Sequence, residues 1–244
     1  MKPYYQDDAV TIYHGDACAV LAQLPDQSVD ILMTDPPYSS GGMFLHDRAQ
    51  DPKVKYLADG SGNNALGTFN GDSRSELGHL FWCASWLTRC TQLLKPGGVG
   101  GLFTDWRQLP ATIMALQAGG FIWRGIVVWH KPAARPVQGR WTNQCEYLVW
   151  GTNGPRSLEG SPLPGFYTCN APRDRDHITE KPLELMRALL ALCPDRGVVL
   201  DPFIGSGTTL RAAKDLGLQA IGVELDAANC EIAAKRMGQE VLPL

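Results

Sequence analysis

Asp35-Pro36-Pro37-Tyr38 follows directly on the largely apolar run Val29-Asp30-Ile31-Leu32-Met33-Thr34, so a carboxylate, a stiff backbone and an aromatic ring arrive together at the end of a strand-like segment. The Asp35 carboxylate and the Pro36 carbonyl can each accept one N–H from the same amino group. Such a pair suits methylation of the exocyclic amino group of a nucleobase. That nitrogen is a poor nucleophile because its lone pair is delocalised into the ring; two acceptors favour a tetrahedral nitrogen and stabilise the positive charge that develops on it. Pro36 and Pro37 restrict φ and donate no N–H, which holds the carbonyls in place without a competing ladder bond. Tyr38 offers a flat face on which a base stacks. A paired base cannot reach such a pocket, so the target nucleotide is expected to be flipped out or single-stranded. Taken alone, the tetrapeptide also reads as an ordinary strand-end turn.

A second motif lies far downstream. Val198-Val199-Leu200-Asp201 is a buried-strand pattern that runs into Pro202-Phe203-Ile204-Gly205-Ser206-Gly207-Thr208-Thr209 and then into the helix former Leu210-Arg211-Ala212-Ala213-Lys214. Strand, Gly-rich turn and helix start together make a nucleotide-binding pattern, in which Gly205 and Gly207 admit a ligand close to the backbone and the helix N-terminus presents N–H groups to an anion. The next strand pattern, Gln219-Ala220-Ile221-Gly222-Val223, ends at Glu224, an acid placed to bind a ribose diol. The alternative is that Glu224 caps the helix that follows.

These two motifs, in this order, together with His177-Ile178-Thr179-Glu180-Lys181-Pro182, resemble the beta-class amino DNA methyltransferases. His14-Gly15-Asp16-Ala17, Leu94-Lys95-Pro96-Gly97-Gly98, Val127 to Lys131 and Glu146 to Trp150 extend the resemblance over most of the chain, while Ile178 and Glu180 depart from the usual Pro and Gln. The resemblance implies a Rossmann-like class I methyltransferase fold of the α/β class, a mostly parallel sheet with an antiparallel edge hairpin and a permuted motif order. It implies S-adenosylmethionine as cofactor, held by Asp16, Asp201, Pro202, Phe203, Gly205, Ser206, Gly207, Thr208, Thr209 and Glu224. Lys181 is read either as a further cofactor contact or, with Pro182, as a helix start. Asp35, Pro36, Pro37 and Tyr38 carry the catalytic role, by direct in-line transfer without a covalent enzyme intermediate. An aspartate at the first position resembles the adenine-N6 enzymes more than the cytosine-N4 enzymes, which often begin with serine. Cytosine-N4 transfer, an RNA or protein methyltransferase and an inactive DNA-binding relative are the alternatives. The implied partners are DNA and a second copy of the chain in a homodimer.

The 244 residues suffice for one sizeable domain spanning 1–244 and contain no apolar stretch of membrane-spanning length. The first residues lack the pattern of a signal peptide, which favours the cytoplasm. Seven cysteines, Cys18, Cys83, Cys90, Cys145, Cys169, Cys193 and Cys230, form no C-x-x-C pair, so neither a metal site nor a disulfide framework is expected. No Pro-Cys dipeptide occurs, which argues against a cysteine nucleophile of the C5-cytosine type.

A net charge of −3 sits poorly with phosphate binding unless the charge is uneven. Arg124, His130, Lys131, Arg135, Arg140, Arg156, Arg173 and Arg175 accumulate in the second half beside Trp129, Trp141 and Phe166, which predicts a basic face. Ser39, Arg135, Arg140, Arg173 and Arg175 are the candidate DNA contacts, on inserted loops at about 39–75, 131–143 and 152–176; the first, without periodicity, reads as a lid or DNA-contacting loop or else as surface disorder, and the irregular last two read as target-recognition elements.

The elements that must position these groups follow from periodicity. Val10 to Asp16 reads as a short strand, and Leu77 to Leu94 as a helix stopped by Lys95-Pro96-Gly97-Gly98. Its Phe81, Trp82 and Trp86 read as core. Gly100 to Trp106 and Gly125 to Trp129 read as strands, with Cys145 to Trp150 as the antiparallel partner of the latter.

Overall fold

In a computed structural model, residues 1–37, 74–134, 136, 138–157, 161–172 and 180–238 are described. Their elements run in chain order as β1 (Tyr5–Gln6), β2 (Val10–His14), α1 (Ala17–Leu21), β3 (Val29–Thr34), α2 (Glu76–Leu93), β4 (Leu94–Thr104), α3 (Leu109–Ala118), β5 (Ile122–His130), β6 (Cys145–Thr152), β7 (Phe166–Thr168), α4 (Leu183–Leu190), β8 (Val198–Asp201), α5 (Thr208–Asp215), β9 (Gln219–Glu224) and α6 (Ala227–Met237).

The strands form one sheet in the order β1-β2-β9-β8-β3-β4-β6-β5-β7. The central run from β2 to β4 is parallel throughout, and β6 pairs antiparallel with both β4 and β5. The β5–β6 hairpin is therefore inserted so that its second strand lies against the parallel core. It is not the outermost element, because β7 adds to β5 in parallel. That strand corrects the reading of 152–176 as irregular: Phe166, Tyr167 and Thr168 complete the backbone bonding of Val128 to His130, whose outer edge would otherwise be open.

The strands are apolar because both faces of the sheet are covered. Leu32 faces a layer made with Leu21 of α1, Trp86 and Leu87 of α2 and Leu116 of α3. Its neighbours Ile31 and Met33 face the opposite layer, with Leu185 and Leu189 of α4, Leu210 of α5 and Ala233 of α6. This is the two-residue alternation of a strand, doubled into two cores.

Helix α2 begins where Ser75 accepts the Gly78 N–H at 3.1 Å. It passes straight into β4 at Leu94, so the Lys95-Pro96-Gly97-Gly98 stop signal lies inside a strand. A Cβ at Gly98 would stand 2.9 Å from the Lys95 carbonyl and 3.1 Å from that of Asp30, so glycine there lets β4 close against β3. Trp86 is core as expected, whereas Phe81 is 71% exposed. Trp82 is half-buried between the two, since the helix turns its aromatic stripe only partly inward.

β3 and β8 are neighbours, with Ile31 opposite Val199 and Leu32 opposite Leu200. The chain leaves β8 through α5 toward β9 on one side and leaves β3 through α2 toward β4 on the other. Connections thus diverge between β8 and β3, the place where open α/β sheets leave a crevice at the carboxyl ends of their strands. Two motifs more than 160 residues apart in sequence meet there, as the Thr34–Asp201 contact spans 167 positions.

Candidate active site

Asp35 is the first residue beyond β3, and Asp201 is the last residue of β8. Thr34 Oγ1 donates to Asp201 Oδ1 at 2.6 Å, and the Phe203 N–H donates to the same oxygen at 3.0 Å. Asp201, 2% exposed, therefore ties the two strand ends together and shapes the turn that follows. Burial pushes its carboxyl up, against the Thr34 and Thr209 hydroxyls that hydrogen-bond it. Pro202 is buried behind it, and the half-buried Phe203 ring packs on Trp82 and Trp86 at centroid distances of 5.3 and 5.1 Å.

The two turn glycines do different work. Gly205 has φ +50, and a Cβ there would meet nothing among the described residues within 4 Å, so one face of the turn is open to them. Gly207 has φ +83, and a Cβ there would press to 2.9 Å from Ala233 Cβ of α6. The first glycine leaves open space beside the turn; the second lets two helices meet. The side chains of Ser206 and Thr208, two of the expected cofactor residues, face Arg236 of α6. Its guanidinium donates to Thr208 Oγ1 at 3.0 Å and to Ser206 Oγ and O at 3.3 Å, and pairs with Glu180 at 2.5 Å. Both hydroxyls are buried in that network, and Thr209 is buried beside Asp201.

Glu224 ends β9 with one oxygen accepting the Gly205 N–H and the other the Asp226 N–H, each at 2.9 Å. The cap of α6 is Asp226, which accepts from Ala228 at 2.8 Å, so Glu224 is not the capping residue. A half-buried carboxylate fixed by two backbone amides and hydrogen-bonded to Asn229 keeps further lone pairs that can accept from a diol. Burial raises its carboxyl above the ordinary range, against those two amide bonds. Asp16 stands near it, because His14 pairs with Glu224 in register and Gly15 donates to the Glu224 carbonyl at 2.9 Å. Its own carboxylate caps α1, accepting from Ala19 at 3.0 Å.

Lys181 departs furthest from expectation. Its ammonium is buried and bonds Asp35 Oδ2, with Glu146 Oε2 of β6 at 3.5 Å. It clamps the tetrapeptide and also acts on the Asp201 carboxyl at the head of the glycine turn, while Pro182 beside it starts α4. Lys131, just past β5, donates to Glu146 Oε1 at 2.5 Å. Four charges thus alternate in a line, Lys131, Glu146, Lys181 and Asp35. Glu146 had no assigned role from sequence; an acid inside the strand Cys145-Glu146-Tyr147-Leu148-Val149-Trp150 was the available signal, because a buried acid requires a cation.

Asp35 Oδ1 is buried and accepts no hydrogen bond from the described residues. Burial pushes the Asp35 carboxyl up to about 6; the Lys181 ammonium opposes this, and the Glu146 and Asp201 carboxylates add to it. The adjoining Pro36 is buried and Pro37 half-buried, and neither offers an N–H to occupy the free oxygen.

Of the expected DNA contacts, Arg140 is exposed on the β5–β6 connection beside Trp141, which is 92% exposed. Tyr38, Ser39, Arg135, Arg173 and Arg175, and the loop at 39–75 up to residue 73, lie outside the described residues. Three other members of the predicted basic face are engaged within the protein: Lys131 with Glu146, Arg124 with Thr152 Oγ1 at 3.0 Å, and Arg156 with the carbonyls of Gly97 and Leu192 at 2.9 and 3.2 Å.

The model of the N6/N4 methyltransferase family, described as DNA methylase, matches residues 29–170 and 159–235. The type II methyltransferase M2.DpnII of Streptococcus pneumoniae is 27% identical over 98% of this chain and 93% of its own length. M2.LlaDCHI of Lactococcus lactis subsp. cremoris is 26% identical with the same coverage. Among solved structures, the M1.HpyAVI–SAM complex superposes with a TM-score of 0.67 at 23% identity, covering 94% of this chain and 100% of that one. The PvuII DNA methyltransferase, cytosine-N4-specific, reaches a TM-score of 0.74 at 17% identity, covering 99% and 91%. At these identities the structures share the fold.

Proposed function

We propose, from the premise that this chain belongs to the N6/N4 DNA methylase family, that it transfers a methyl group from S-adenosylmethionine to the N6 amino group of an adenine flipped out of DNA. The observation that carries this is the buried Oδ1 of Asp35, which has no hydrogen-bond partner among the described residues and is held one strand away from the open face of Gly205 and two strands from the fixed carboxylate of Glu224.

The chain's own residues fit the cofactor. The open side of Gly205 admits it, Glu224 accepts from its ribose hydroxyls, Phe203 lines the approach from the turn, and Asp16 stands at the adjoining strand end. Bound there, S-adenosylmethionine supplies an electrophilic methyl on a sulfonium. Asp35 Oδ1 and the Pro36 carbonyl accept the two amino hydrogens of the base and draw the lone pair onto nitrogen. Transfer would leave the electron pair of the broken sulfur–carbon bond on the cofactor's sulfur, so Asp35 and Pro36 have only to hold the amino nitrogen in line with the methyl. The nitrogen then gives up one proton, which Asp35 accepts and passes to solvent. With its carboxyl near 6, Asp35 is mostly ionised at neutral pH yet basic enough for that proton. Most of the rate comes from placement and charge, since no covalent enzyme intermediate is needed.

Adenine is favoured because the tetrapeptide begins with aspartate, as in the adenine-N6 enzymes it resembles. The test is nucleoside mass spectrometry of DNA incubated with the protein and S-adenosylmethionine. N6-methyladenine is expected; N4-methylcytosine would overturn the choice of base, and no methylated nucleoside would overturn the function. Asp35→Ala should abolish transfer while cofactor affinity stays within about threefold, as expected of a group acting on the transition state.

A further inference from the structure

The line of charges behind Asp35 is more than a clamp. An ammonium has three N–H donors. Facing Asp35 alone, Lys181 would be free to bridge both carboxylate oxygens and cover the one the reaction needs. It does not, because Glu146 Oε2 draws it from the other side at 3.5 Å while it bonds Asp35 Oδ2. Glu146 is held in turn by Lys131 at 2.5 Å. Each side chain comes from a different element: Asp35 from the end of β3, Glu146 from β6, Lys131 from beyond β5 and Lys181 from the turn before α4.

We propose that Glu146 and Lys131 are positioning residues for methyl transfer: by sharing Lys181 they keep its ammonium on one oxygen of Asp35 and leave the other free for the target amino group. This rests on the acceptor role of Asp35 proposed above. Among the described residues neither Glu146 nor Lys131 hydrogen-bonds or ion-pairs with the turn from Asp201 to Gly207, so their direct action is on Lys181 and through it on the reacting carboxylate.

Among the described residues, the charged groups that act on the Asp35 carboxyl are Lys181, Glu146 and Asp201, with Lys131 behind Glu146. Removing a negative neighbour should lower the pH at which Asp35 takes up a proton, and removing a positive one should raise it. Glu146→Gln keeps the shape and deletes the charge; Lys131→Met acts at the half-exposed far end of the line, where the fold tolerates the change more readily.

The experiment has two readings on the full chain. One is the pH dependence of single-turnover methyl transfer. The other is the 13C titration of aspartate carboxyls in labelled protein, with the Asp35 signal identified by its loss in Asp35→Asn. Glu146→Gln should move both midpoints down by about one pH unit, and Lys131→Met should move both up by about half a unit, as expected for charges a few ångströms away. Cofactor affinity should stay within about twofold in each. Midpoints unmoved in both variants overturn the inference whatever their activity. A wild-type rate whose acid limb does not follow the Asp35 carboxyl overturns the acceptor role itself, and the positioning role falls with it.

Discussion

Gly205 and Gly207 sit two residues apart in one turn, and the structure gives them opposite duties, so alanine at each should fail in a different way. At Gly205 the added methyl enters open space, and the cost to folding is the left-handed backbone alone, about 1 kcal/mol. At Gly207 the same conformational cost is joined by a methyl forced to 2.9 Å from Ala233 Cβ. Overpacking of that kind adds about 2 kcal/mol, for a total of about 3 kcal/mol. In a chain of 244 residues each kcal/mol lowers the melting temperature by about 2–4 °C, so Gly205→Ala should melt about 3 °C low and Gly207→Ala about 9 °C low. Ligand binding should rank the two the other way. The Gly205 methyl occupies the face where the cofactor must approach, and a lost close contact with partial displacement should weaken S-adenosylmethionine at least about tenfold, or 1.4 kcal/mol. Gly207→Ala, measured well below its melting temperature, should bind within about threefold of wild type. Differential scanning calorimetry and isothermal titration on both variants decide the matter. Normal affinity in Gly205→Ala would refute the reading of that open face as the cofactor's approach, and equal melting temperatures would refute the helix-packing role of Gly207.

Arg236→Met should destabilise the fold by about 3 kcal/mol in urea denaturation, because the Glu180 carboxylate, 8% exposed, loses its guanidinium together with the Ser206 and Thr208 contacts. A loss below about 1 kcal/mol would show that the network is not a fold constraint. Arg140→Ala should weaken DNA binding by a similar factor on every sequence and reduce the slope of log affinity against log salt by about 1. Calorimetric cofactor affinity should be unchanged, and a salt slope equal to that of wild type would remove Arg140 from the phosphate-binding set.

The chemistry was legible in the sequence wherever it depends on neighbours along the chain. Asp35, Pro36 and Pro37 are consecutive, and the strand, turn and helix from Val198 to Lys214 announce themselves through local periodicity and glycine placement. The strands around them were legible for the same reason, since both-face burial leaves continuous apolar runs, and Gly125–Trp129 and Cys145–Trp150, consecutive in the chain, pair as a hairpin across the 131–144 connection. Only the tertiary structure brought Lys181 to Asp35, 146 positions away, and set Glu146 and Lys131 behind it. Nothing local distinguishes a lysine that contacts a cofactor from one that clamps a carboxylate, because the partner is chosen by which strand ends lie side by side. The same holds for Ser206 and Thr208, which lie in a ligand-binding motif yet point to Arg236, and for β7, too short for its alternation to show. A sequence motif specifies which groups are present and how the backbone turns; the direction of each side chain, and therefore the charge it meets in a poorly solvated interior, is settled by packing between elements distant in the chain.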